Sequence, residues 1–189
     1  MSVPSGPILL LDCSQRESVV GLARGDGVDD AVLERRFVPA PGDPEERLWL
    51  ELDALVAEAG VAPGSIAAVA VATGPGGFTG LRVSIALAQG LALSLGVRAV
   101  GLPSPSVFAR ARAEAGARGP WIVALAAKDG SAWCATVGDQ AGSSRSVTGG
   151  DEVAEEGAVL DPVAFAALVS RLAANGVELV ADGHLPREF

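Results

Sequence analysis

One histidine, His184, and one lysine, Lys128, are all that the 189 residues contain of either type. A single histidine excludes His-x-x-x-His and His-Glu-x-x-His metal sites. A Ser-His-Asp triad would also lack the Gly-x-Ser-x-Gly elbow that supplies its nucleophile. A Walker-type phosphate loop has only Lys128 to offer, and that lysine sits in Ala-Lys-Asp-Gly, the wrong context. Tyrosine is absent, and three Trp with five Phe are too few for a base-stacking platform. Two cysteines, Cys13 and Cys134, cannot make a disulfide framework and read as buried free thiols in a reducing cytosol. Positive charge is scarce as well: 14 Lys and Arg stand against 23 Asp and Glu, for a net charge of −9. That balance excludes broad electrostatic capture of nucleic acid. The opening MSVPSGPILLLDC lacks a basic region, and its apolar run is too short for a secretory signal. The longest apolar helical stretch, residues 83–97, is interrupted at Gln89 and Gly90 and falls short of a membrane span. A cytoplasmic protein without a membrane partner is expected.

What is present is 49% apolar, enough for a packed core. The run Ile-Leu-Leu-Leu-Asp at 8–12 reads as a central strand ending in an acid. Residues 18–23 and 32–38 read as two further strands, the last nearer an edge, with a reversal at Arg24-Gly25-Asp26-Gly27 between them. Asp43, Pro44 and Glu46 form a capping-box arrangement. It opens a helix whose apolar face is Leu48, Leu52, Leu55, Val56 and Ala59, stopped by Gly60. A strand over 66–72, a glycine-rich turn over 73–80, a strongly apolar helix over 81–95 and a strand over 97–102 follow. The order predicts an α/β fold with a mixed five-stranded sheet and covering helices over residues 1–102. Residues 103–189 predict a smaller, partial second α/β domain. It holds a helix over 103–115, a hairpin of 122–126 with 132–137 around Lys128-Asp129-Gly130, a loop over 138–158, a helix opened by Asp161-Pro162 and a last strand over 177–181.

Two features carry candidate chemistry. The turn Gly74-Pro75-Gly76-Gly77-Phe78-Thr79-Gly80 joins a strand to a helix, where backbone amides can cradle an anion. It fails both strict templates, ending Gly-Leu-Arg in place of Gly-Lys-Ser and placing Thr79 where the dinucleotide pattern needs glycine. A tight turn that lets helix and strand pack closely is the other reading. In the following helix, Ala86, Gly90 and Ser94 form a small-residue stripe beside Leu87 and Leu91. A mid-helix glycine costs about 1 kcal/mol relative to alanine, so close approach of another helix is indicated. That neighbour is either the first helix of this chain or a partner subunit, because a helix apolar all round needs cover on both sides. Taken alone, Arg82, Asp182-Gly183 and His184 read as surface features.

Leu11-Asp12-Cys13-Ser14 is similar to a first-strand (Ile/Leu)-Asp-Thr-Ser motif. AVATGPGGFTGLRVSIALAQG, residues 70–90, resembles the Gly-Pro-Gly-Ser-Phe-Thr-Gly-Leu-Arg signature of the TsaB (YeaZ-like) family in bacterial tRNA threonylcarbamoyladenosine biosynthesis. The segment 127–133 looks like a degraded form of that family's Asp-Ala-Arg hairpin, and Val180-Ala181-Asp182-Gly183 like its late glycine turn. Gly77 stands where the signature has serine and Ser84 where it has glycine. Residues 43–48 lack its histidine, and Ala126 and Lys128 replace the acid and arginine of the hairpin.

The resemblance implies an actin/Hsp70-like (ASKHA, ribonuclease H-like) fold. It also implies a non-catalytic, glycoprotease-like pseudo-enzyme that scaffolds and activates a TsaD-like catalytic paralogue, the partner bearing the His-x-x-x-His site. A TsaE-like ATPase joins them, and together they build threonylcarbamoyladenosine at position 37 of tRNA. The implied site residues are a vestigial phosphate-binding set of Asp12, Ser14, Gly74, Gly76, Gly77, Thr79 and Gly80. The implied partner interface is Leu81, Arg82, Ala86, Leu87, Gly90, Leu91 and Ser94. No cofactor of its own is implied, ATP and Mg belonging at a complex interface, and tRNA is met only indirectly. Two other readings use the same residues. One is a small ATP-dependent phosphotransferase of actin-like fold working through Asp12, Ser14 and the glycine turn. The other is a homodimeric pseudo-enzyme outside the pathway.

Overall fold

The computed structural model describes residues 6–25, 31–37, 44–114, 116, 120–127, 131–137, 144–147, 153–154, 157–174 and 177–181. The chain divides into two compact units, Met1–Leu102 and Pro103–Phe189. In the first unit, β1 (Gly6–Asp12) is the central strand, flanked on both sides, with Leu9 and Leu11 buried. It pairs antiparallel with β2 (Ser18–Gly25) and parallel with β4 (Ala68–Gly74). β3 (Ala31–Phe37) lies outside β2, and β5 (Arg98–Pro103) lies outside β4, giving the order β3-β2-β1-β4-β5. Alternation along the strands sends Leu9, Leu11, Val20, Leu22, Val69 and Val71 to one face. There they meet Leu48, Leu52 and Leu55 of α1 (Pro44–Ala59) and Ala88 and Ala92 of α2 (Phe78–Leu95). Ion pairs fix α1 over the edge of the sheet. Arg35 of β3 reaches Glu51 at 3.5 Å and also pairs with Glu58, while Arg47 pairs with Glu51. Arg24 donates to the carbonyl of Ala59 at the end of α1. Asp43 and the reversal at residues 26–27 lie outside the described residues.

α2 departs from expectation at its start. It begins at Phe78 rather than Leu81, because Gly77, with φ −60° and ψ 117°, serves as the cap without any side-chain hydrogen bond. No Ser, Thr, Asp or Asn announces that terminus. The earlier start makes the helix 18 residues long with mean hydropathy 1.4, long and apolar enough by length and composition to cross a membrane. The expectation that this segment falls short of a span is therefore corrected. Its connections are nevertheless those of a crossover helix: it joins two neighbouring strands of one sheet and lays Ser84, Ala88 and Ala92 inward. Only 17% of it is buried within the chain.

The second unit begins with α3 (Ser104–Glu114) and builds its sheet around β6 (Trp121–Ala126) and β7 (Ala132–Val137), an antiparallel pair. The residues expected to form a loop from 138 to 158 instead contain β8 (Ser144–Val147), β9 (Val153–Ala154) and the start of β10 (Ala158–Leu160). β8 and β10 share one edge of β7: Ala135 pairs with Ser146, and Cys134 with Ala158. Each covers half of that edge and satisfies its backbone there, so neither is long enough to show alternation in the sequence. β11 (Glu178–Ala181) runs parallel to β6 on the other side. α4 (Pro162–Ala173) starts where Asp161 Oδ1 accepts the Ala164 N–H at 2.8 Å, and it lays Phe165 and Leu168 on Ile122, Ala124 and Cys134. The hairpin tip at 128–130, the turn at 182–183 and His184 lie outside the described residues.

Both thiols are free and buried. Burial pushes the Cys134 thiol up to about 12, and burial also raises Cys13, against a hydrogen bond from Ser18. A thiol raised in the folded state favours folding below its ordinary value of 9.0, and that contribution is lost as pH rises from there toward about 12. Native protein at pH 8 is therefore expected to leave both thiols unlabelled by dithionitrobenzoate, and guanidinium to release both. Rapid labelling of the native state would contradict the burial.

Candidate functional site

Two places bring the candidate residues together, both in the first unit. At the carboxyl end of β1, Asp12 Oδ1 accepts the Ser14 N–H at 2.8 Å and tightens the turn. The glycine-rich segment lies directly on that turn. Gly77 N–H donates to the Ser14 carbonyl at 2.6 Å. A Cβ on Gly76 would stand 2.3 Å from the Ser14 oxygen, and one on Gly80 only 2.1 Å from the Cys13 oxygen. Gly74 has φ +97°, a conformation that suits glycine. Asp12, Ser14, Gly76, Gly77 and Gly80 thus meet as backbone pressed on backbone; Gly74 ends β4 beside Leu81, and Thr79 is exposed in the first turn of α2. The Ser14 and Gly77 amides are already engaged within the chain. Ser14 is buried, and its Oγ has no hydrogen-bond partner. Among the described residues, no group of three His, Cys, Asp or Glu side chains is placed to hold a metal ion.

The second place is an open groove of about 480 Å³ between α1 and α2. Leu48 and Trp49 line one wall; Val83, Ala86, Leu87, Gly90, Leu91 and Ser94 line the other. Among the described residues, nothing beyond the backbone of α2 itself lies within 4 Å of where a Gly90 Cβ would be. The reading in which α1 occupies the space beside Gly90 is thereby corrected: α1 borders the groove without filling it. Ala86, Leu87, Gly90, Leu91 and Ser94, named from the sequence, all face this groove. Leu81 and Arg82 lie at the N-terminal end of α2 outside the lining. Leu81 packs toward Gly74, and the Arg82 guanidinium sits 5.2 Å from the Phe78 ring centre.

The sequence reading missed Trp49 and Val83. Trp49 is 52% exposed and Leu50 57%, both off the Leu48–Leu52–Leu55 face. A large aromatic outside the apolar stripe of an amphipathic helix was the available signal. On α2, Leu93 is 86% exposed.

A family model described as "TsaD: tRNA N6-adenosine threonylcarbamoyltransferase" matches residues 44–178. No curated protein matches the chain by sequence. Among solved structures, YeaZ from Pseudomonas aeruginosa superposes with a TM-score of 0.66 at 29% identity, covering 83% of this chain and 68% of that one. A second structure, an uncharacterized protein with similarity to peptidase YeaZ from Pseudomonas aeruginosa, gives a TM-score of 0.67 at 29% identity, covering 83% and 67%.

Proposed function

The chain belongs to the TsaD family of tRNA N6-adenosine threonylcarbamoyltransferases, with a YeaZ-like structure, and we propose that it serves there as a non-catalytic scaffold. Its pathway is the threonylcarbamoyl modification of tRNA adenosine. Its task in that pathway is to hold and activate a TsaD-like catalytic paralogue by docking it on the α1–α2 groove. The observation that carries this reading is the empty space at Gly90. A glycine there costs helix stability, and no atom among the described residues uses the room it leaves. A row of small residues on an apolar, largely uncovered helix is the surface on which a second helix packs closely. The histidine count supports the assignment of roles, since one histidine cannot form the paired-histidine metal site that the resemblance gives the catalytic paralogue. The turn at Asp12–Ser14 acts in this reading as a structural latch, and a net charge of −9 leaves tRNA to the partners.

Size-exclusion chromatography with light scattering, run on the chain with the same organism's TsaD-like protein, tests the proposal. A one-to-one species is expected, with or without Mg-ATP. Separate elution of the two proteins at micromolar concentration would overturn it.

A further inference from the structure

We draw no further inference here: the strongest candidate, the buried and unpartnered Ser14 hydroxyl at the glycine-rich turn into α2, belongs to the site already described, and the next, the exposed apolar face of α4 around Val163, has nothing in the structure to show what covers it.

Discussion

Replacing Gly80 with alanine is expected to lower the melting temperature by about 10 °C, equivalent to roughly 3 kcal/mol in a chain of this size. The added Cβ would lie 2.1 Å from the Cys13 carbonyl oxygen. That oxygen is a backbone atom just past β1, a strand held on one side by β2 and on the other by β4, so it cannot swing aside as a side chain would. α2 must lift from the sheet, opening the packing of Ala88 and Ala92 against the core. Gly76→Ala is expected to behave similarly, its Cβ meeting Ser14 at 2.3 Å. Gly90→Ala is the internal control: with nothing among the described residues within 4 Å of the added Cβ, it is expected to stabilise the free chain by up to about 1 kcal/mol. Thermal melts by circular dichroism decide the matter. A Gly80→Ala variant melting within a degree of wild type would show that the turn and the end of β1 are not locked together.

The same contrast shows why some of this structure could be read from the sequence and some could not. β1, β2 and the strand leading into the glycine turn carry runs of apolar residues that only a central position in a sheet can bury, and their order follows from the turns between them. The cap at Asp161 was legible because a carboxylate before Pro162 has one obvious use, the Ala164 amide. The start of α2 was not, since Gly77 caps it with no side chain. β8 and β10 were hidden for another reason. Each draws its order from half of one edge of β7, a non-local cause that leaves no periodicity in a Gly-, Ser- and Glu-rich segment. At the groove, the stripe through Gly90 stood out because a mid-helix glycine is locally unfavourable. Trp49 escaped because it lies off the face that holds α1 to the sheet, and only the tertiary structure places it opposite Gly90 on the facing wall.

Gly90→Leu is expected to abolish the heterodimer, weakening it at least about a hundredfold, while leaving the free chain folded. The two halves of this expectation come from one observation. Because the space beside Gly90 is open, a leucine side chain there extends into the groove without striking the chain's own atoms, so the melting temperature is expected to stay at or above the wild-type value. The same side chain fills the depression between Ala86 and Ser94 that a docking helix would occupy, and closely packed interfaces do not absorb an added isobutyl group by small shifts. Gly90→Ala should fall between the two, more stable than wild type alone and weaker in binding. Stability and partner affinity would then run in opposite directions across Gly, Ala and Leu at one position, the relation expected of a residue retained for binding at the expense of its own helix. Calorimetry with the TsaD-like paralogue, paired with melts of each variant, reads both quantities. Unchanged affinity in a folded Gly90→Leu protein would remove the groove from the docking surface.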